Sequence, residues 1–420
     1  MDRPRLYTDV HQVIDERAIW TAFQPIVRLD TREVVGYEAL SRGPAGTPWQ
    51  RPSTMFAAAR AVGRAGELDW ICRMSAYRAA LEAGLGPETT LFVNVEPAAL
   101  REPCPPDLSD VQDRAKGRLR VVTELTERHL ADDPAALLAA VRGCRDAAWG
   151  VALDDVGADP ASLALMPFVH PDFVKLDMRL LHEPGQPATA QVVNAVIAHA
   201  ERTGAAIVAE GVEREAHLAQ ARAMGATLGQ GWLFGAPGPL PRGDGPAVRQ
   251  LDLLTVTDQG PAGRTPFHIV SQHRPTTRAT KRMLMETTRY LESKVADPVE
   301  PPVLLACFQD AGNFTGGVRR RYTRLASGSP FVAVFGAGLD AAPAAKVRGA
   351  DVAAGDPLHA EWNVIVVGPH FSAALVARDI GDTGAQDYRR FDYALTYDRP
   401  LVLAAARSLL GRLGPVASDT

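Results

Sequence analysis

From near the N-terminus to about residue 240, short hydrophobic runs alternate with longer segments whose apolar positions recur at helical spacing. Eight of the short runs have strand-like composition. They are "FQPIVRL" from Phe23, "VVGYEAL" from Val34, "LFVNV" from Leu91 and "LRVVTELTE" from Leu119, then "VALDD" from Val151, "FVKLD" from Phe173, "AIVAEGVE" from Ala206 and "GQGWLFG" from Gly229. Between most of them lie Ala- and Leu-rich stretches such as "PAALLAAVRGCRDAA" and "QVVNAVIAHAERTG", the latter stopped by Gly204. Alternating strand and helix predicts a mainly parallel sheet. Eight strands in this length fit an α/β barrel of the TIM type better than an open sheet. Only the turn "DTRE" separates the first two strands, so the barrel should begin antiparallel and be irregular.

The rhythm breaks at "GAPGPLPRGDGPA", and the polar "DQGPAGRTP" follows. Such Gly/Pro-rich composition reads as a linker. The expected division is a barrel over residues 1–245, a linker over 246–265 and a smaller α/β domain over 266–417. In that last part an amphipathic segment, "TTRATKRMLMETTRYLESKV", precedes four strand-like runs: "PVLLACFQ", "PFVAVFGAG", "WNVIVVG" and "FDYALTYD".

Composition narrows the function classes. The chain has 420 residues with 46% hydrophobic and 22% charged content, ordinary values for a soluble globular protein. Net charge is -4 and no Lys/Arg block is present, so a nucleic-acid polymer is not an expected partner. The N-terminus lacks the apolar core of a signal peptide, and no run approaches a membrane span, which together predict a cytoplasmic protein. Cys72, Cys104, Cys144 and Cys307 show no CxxC spacing and are expected as reduced thiols. Of 45 basic residues only Lys116, Lys175, Lys281, Lys294 and Lys346 are lysines, so a lysine at a chemically suggestive place carries information.

In a parallel barrel the C-terminal strand ends converge on one mouth, where the chemistry sits. Those ends carry Glu38, Asn94, Glu124, Glu127, Asp154, Asp155, Lys175, Glu210 and Gln230. So many carboxylates cannot all stay ionised together without a counter-charge. An oxygen-only donor set favours Mg²⁺, Mn²⁺ or Ca²⁺. An aspartate pair suits a two-ion site for in-line displacement at phosphorus, with Lys175 a cation near the attacking water. Lysine fits that place because its pKa can be lowered enough to exchange a proton. A single acid at a strand end is ordinarily a cap, and Asp177 and Glu213 are expected in such roles. Glu127 is expected as structural support, and His129, His170 and His199 show no ligand spacing.

"AFQPIVRLDTREVVGYEALSRG", "LFVNVEPAAL", "ELTE", "ALDDVG", "VKLD", "AEGVE" and "GQGWLFGAPGPL" resemble, in order, the successive signatures of the EAL domain, a family that contains bacterial cyclic-di-GMP phosphodiesterases. The resemblance implies a modified TIM (β/α)8 barrel with an antiparallel first strand. It implies metal ligation by Glu38, Asn94, Glu124, Asp154, Asp155 and Glu210, with two ions of Mg²⁺ or Mn²⁺. Lys175 then stands by the nucleophilic water and Gln230 completes the site. Arg42 corresponds to a phosphate contact and Gln24 to a guanine contact. Glu127 corresponds to a glutamate that steadies the loop after the aspartate pair, a loop tied to dimerisation, so a homodimer through this domain is implied. The implied reaction is metal-dependent hydrolysis of cyclic di-GMP to linear pGpG. Val156, Glu96 and Gly43 depart from the commoner residues at their motif positions, and none of them is a proposed ligand.

"PLHAEWNVIVVGPHFSAALVARD" and "RRFDYALTYDRPLVLAAARSLL" resemble the DICT domain, a sensory module, which implies an unknown ligand or protein partner there. Trp362, His370, Phe391 and Tyr397 are candidate pocket residues, and their aromatic spacing equally fits a core. Two rival readings stay open: a catalytically silent protein that binds cyclic di-GMP or a partner, and an unrelated metal-dependent barrel enzyme acting on another phosphoester.

Overall fold

The computed structural model describes residues 7–96, 99, 102–126, 133–158, 163–164, 166–183, 185–241, 250–254, 263–296, 301–382 and 386–414. Two compact units emerge. The first comprises Met1–Thr126, Ala140–Ala158 and Pro171–Thr255; the second comprises Glu127–Ala139, Asp159–His170 and Val256–Thr420. Among the described residues no helix is long and apolar enough to cross a membrane, and the four cysteines are free thiols.

The first unit holds a closed eight-stranded barrel in sequence order: β1 Trp20–Arg28, β2 Val34–Arg42, β3 Thr90–Asn94, β4 Arg120–Thr126, β5 Gly150–Val156, β6 Phe173–Leu176, β7 Ala206–Ala209 and β8 Leu228–Gln230. β1 pairs antiparallel with both β2 and β8, and the remaining neighbours are parallel. The irregular start expected from the short "DTRE" turn is therefore present. Helix Pro187–Thr203 opens with Pro at its first position and ends where Gly204 follows, burying Val192, Ala195, Val196 and His199 on one face.

Ile26, Phe92, Val122, Ala152, Phe173, Val208 and Leu228, from seven different strands, form one buried cluster inside the barrel. At the matching place on β2 stands Gly36, where a Cβ would lie 2.6 Å from the carbonyl oxygen of Thr90 and 3.1 Å from the Phe92 ring. The Phe92 ring takes that space and meets Phe173 edge-on at 5.1 Å. Leu251 belongs to the same cluster, and the Leu254 amide donates to Asp172 at 2.7 Å. Residues 250–254, in the stretch expected as linker, thus pack as part of the barrel unit.

The second unit contains a seven-stranded sheet in the order β12-β11-β10-β13-β14-β15-β9. Its strands are β9 Thr277–Thr280, β10 Val303–Asp310, β11 Val332–Ala337, β12 Arg348–Asp351, β13 Glu361–Val367, β14 Ser372–Asp379 and β15 Arg390–Thr396. β10, β11 and β12 are parallel and the other pairings antiparallel. Helices Lys281–Ser293 and Gly316–Gly328 cover one face through Leu284, Leu291, Tyr322 and Ala326. Helix Arg399–Leu410 packs on β13 and β14 beside helix Pro266–Ser271. Three strands, β9, β12 and β14, lie outside the four runs expected from sequence. β14 is buried along six successive residues, so it shows none of the alternation that marks a half-exposed strand.

Candidate active site

A strand's side chains alternate between faces, so the residue two beyond an inward apolar position also points inward. Applied to the buried cluster, this places Asn94 after Phe92, Glu124 after Val122, Asp154 after Ala152, Lys175 after Phe173, Glu210 after Val208 and Gln230 after Leu228. Glu38 follows Gly36 in the same way. β1 runs in the opposite direction, so its counterpart precedes Ile26 and is Gln24, which pairs with Glu38 across the β1–β2 ladder. One apolar layer at mid-barrel therefore supports one polar layer at the mouth.

Asp154 and Asp155 are adjacent, and in a regular strand their carboxylates would face opposite ways. The backbone resolves this at Asp155, whose φ of 55° lies in the left-handed region. The β5–β6 register shifts between Leu153 and Val156, as a bulge does. Aspartate is among the few side chains that tolerate this conformation. As a result ligand oxygens of Asp154, Asp155 and Glu210 lie within 4.8 Å of one another, close enough to hold one metal ion.

Lys175 is the hub of the polar layer. It is 1% exposed, and its Nζ lies 2.7 Å from Glu124 Oε1, 2.8 Å from Glu210, 2.9 Å from Asp154 and 3.5 Å from Glu38. Burial alone would lower the lysine pKa, but Asp154, Glu124, Glu210 and Glu38 together hold it well above its ordinary value. Against the expectation of a lysine tuned downward for proton exchange, the four carboxylates around Lys175 favour its ammonium form. The carboxylates divide among themselves. Burial pushes Glu124 well up, helped by Glu38 and Asp154. Burial also raises Glu210, to about 8, against the pull of Lys175. Glu38 is lowered despite burial, because Lys175 and the amides of Gln230 and Asn94 favour its charged form. One lysine is little counter-charge for so many buried carboxylates, so further positive charge would stabilise this cluster.

Two buried acceptors have nothing to bind. Glu124 Oε2 and Gln230 Oε1 are shielded from solvent without a hydrogen-bond donor. Orphaned oxygens beside a carboxylate cluster are what a hard divalent cation would satisfy. The all-oxygen donor set of Glu38, Asn94, Glu124, Asp154, Asp155 and Glu210 thus fits a hard divalent cation.

The remaining candidates sort by their bonding. Gln230 Nε2 donates to Glu38 Oε2 at 2.6 Å and to Gln24 Oε1 at 3.0 Å. Asn94 Nδ2 donates to Glu38 Oε1 at 3.0 Å. Gln24 is buried and donates from Nε2 to the Gly235 carbonyl at 3.1 Å, so its amide ties the closing strands together. Arg42, at the end of β2, donates to the Ser41 carbonyl and has no carboxylate partner among the described residues. Glu127, and with it the loop support ascribed to that position, lies outside the described residues. Asp177 is a helix cap, accepting from the Arg179 amide at 2.8 Å, as expected.

Sequence reasoning missed a second cluster. Ligand atoms of His182, Glu213 and His217 also come within 4.8 Å of one another, with His182 and Glu213 exposed. The available signal was the four-residue spacing from Glu213 to His217, but His182 joins them only through the fold.

Known families and proteins resemble this chain in both of its parts. The EAL domain description matches residues 8–237. A second description, a sensory domain in diguanylate cyclases and two-component systems (DICT), matches residues 268–379. Among curated relatives, the "Cyclic di-GMP phosphodiesterase RocR" of Pseudomonas aeruginosa is 29% identical over 55% of this chain and 60% of its own length. The Escherichia coli protein titled "Probable cyclic di-GMP phosphodiesterase PdeB" is 28% identical over 54% of this chain and 44% of its own. The chain therefore spans less than two thirds of the length of either. Klebsiella pneumoniae BlrP1, solved as a manganese and cyclic-di-GMP complex, aligns with a TM-score of 0.46 at 28% identity, over 56% of this chain and 58% of that one. With the EAL description covering more than half of its residues and every strand of the barrel, the chain belongs to the EAL domain family.

Proposed function

We propose that the barrel hydrolyses one phosphodiester of cyclic di-GMP to linear pGpG, using two divalent ions, Mg²⁺ or Mn²⁺. The observation that carries this reading is the polar layer itself: five carboxylates and an asparagine around one buried lysine, with unsatisfied oxygens on Glu124 and Gln230. Glu38, Asn94, Glu124, Asp154, Asp155 and Glu210 would hold the ions, which supply an activated water and offset charge at phosphorus. Lys175 keeps a fixed positive charge beside the reacting phosphate. Gln230 and Asn94 orient Glu38 from its two sides. Arg42, unpaired with any described carboxylate, would contact a phosphate oxygen. Water forms the new P–O bond, the bond to the ribose 3′ oxygen breaks, and the departing oxygen takes the proton released by the water. The substrate is supported by the names of the relatives above.

Regulation by the second unit is part of this reading. The match of residues 268–379 to a sensory domain description supports it.

The test is incubation of the full chain with cyclic di-GMP and Mn²⁺, with products separated by chromatography and identified by mass. Accumulation of pGpG that stops on adding EDTA supports the proposal. Saturable binding of cyclic di-GMP with no product at any Mn²⁺ concentration favours a silent receptor instead.

A further inference from the structure

The second unit encloses a cavity of about 300 Å³ between helix Lys281–Ser293, helix Gly316–Gly328 and the sheet face of β10, β13 and β15. That volume is at the small end of ligand pockets and suits a one- or two-ring molecule. Two edge-to-face aromatic pairs contribute to its walls: Trp362 with Phe391 at 5.7 Å, and Phe308 with Tyr322 at 5.3 Å. Of the four aromatic candidates named from sequence, Trp362 and Phe391 line the cavity, whereas His370 and Tyr397 are not among its lining residues.

The polar lining is one-sided. Lys281, Arg289, Arg321 and Arg389 reach the cavity, and none of its lining residues is acidic. Carboxylates stand behind the guanidinium groups: Glu286 pairs with Arg289, Glu292 with Arg321 and Asp379 with Arg389. A guanidinium carries five N–H donors, and these pairings engage one or two of them in each arginine. Donors therefore remain for an incoming anion.

A separate observation points to a ligand. Thr288 lines the cavity and is 7% exposed, yet its Oγ1 is buried without a hydrogen-bond partner. A helical threonine ordinarily bonds back to the carbonyl of the preceding turn. An unsatisfied buried hydroxyl is unfavourable, and a polar atom in the cavity would relieve it. The neighbouring wall is irregular too: Gln309 lines the cavity with φ of 63°, at a register shift in β10. Strained positions of this kind gather at ligand sites.

We infer that this cavity is the sensory ligand site of the second unit and takes a small planar aromatic anion. The rings lie against Trp362, Phe391, Phe308 and Tyr322, the anionic group faces the arginines and Lys281, and a polar atom reaches Thr288. Cationic ligands are disfavoured by the same lining.

The test is calorimetric titration of the full chain, in EDTA so that the barrel carboxylates hold no metal, with 2-naphthoate and indole-3-carboxylate. The neutral 2-naphthamide is the control. At least one of the two acids is expected to bind saturably at one site per chain, and the amide at least fivefold more weakly than 2-naphthoate. Thr288→Val and Trp362→Ala should each weaken binding about tenfold. Thr288→Val removes only a hydroxyl, so it decides the matter even if Trp362→Ala does not fold. Absence of saturable binding by both acids, equal binding of the amide, or unchanged affinity in Thr288→Val would overturn the inference.

Discussion

Replacing Lys175 with methionine is expected to cut cyclic-di-GMP turnover by about a thousandfold and to weaken the barrel when metal is withheld. The two effects share one cause. Lys175 is the cation bridging Glu124, Glu210, Asp154 and Glu38. Methionine fills the space but leaves buried carboxylates without a counter-charge, a change that typically costs about 3–5 kcal/mol. The sign with pH follows from the direction of the shift. Burial works against the Lys175 ammonium, but the four acids raise its folded pKa above the ordinary 10.5. On the alkaline side its stabilisation is therefore kept through pH 10.5 and lost as pH rises through the folded value, whereas on the acid side it weakens as its carboxylate partners take up protons. In EDTA at pH 8, Lys175→Met should unfold at a clearly lower urea concentration than the parent, and Mn²⁺ should recover part of the difference by replacing the missing charge. Unchanged turnover in this variant would remove Lys175 from the proposed chemistry.

Substitutions at Asp155 separate backbone from charge. Its left-handed backbone is tolerated by asparagine nearly as well as by aspartate, and poorly by a β-branched residue. Asp155→Asn should keep the parent's unfolding midpoint while turnover falls at least about a hundredfold, a loss of about 3 kcal/mol in transition-state stabilisation. Asp155→Val should lose turnover and about 2 kcal/mol of stability as well. Full activity in Asp155→Asn would mean that the second aspartate only shapes the turn.

These two residues also mark what the sequence reveals and what it hides. Convergence of the C-terminal strand ends on one mouth is legible in the sequence, and it gathers Glu38, Asn94, Glu124, Asp154, Lys175, Glu210 and Gln230; period-two alternation adds which face of each strand they take. The same rule would have sent Asp155 to the opposite face. Its return depends on a bulge and a left-handed residue, which no hydrophobic pattern announces. The state of Lys175 was hidden for a similar reason: the sum of four carboxylates against one burial term depends on distances, and they reversed the expected direction of its pKa. The Gln230–Gln24 bond spans the closure of the barrel and follows only from the antiparallel placement of β1. At the expected domain boundary, Gly/Pro content reads as the end of the repeating pattern. It could not signal that Leu251 returns to the barrel's apolar layer. In the second unit, β14 reads as an Ala-rich run because both of its faces are covered, and Thr288 joins the cavity only once its helix is laid on the sheet.

The central claim is that the acidic mouth holds divalent metal, and the most direct test is calorimetric titration of Mn²⁺ into the metal-stripped full chain and into Asp154→Asn. The account predicts saturable binding of two ions by the parent and at least a hundredfold weaker binding by the variant, because a neutral amide replaces a charged donor shared with Asp155 and Glu210. No saturable binding by the parent, or equal affinity in Asp154→Asn, would contradict it.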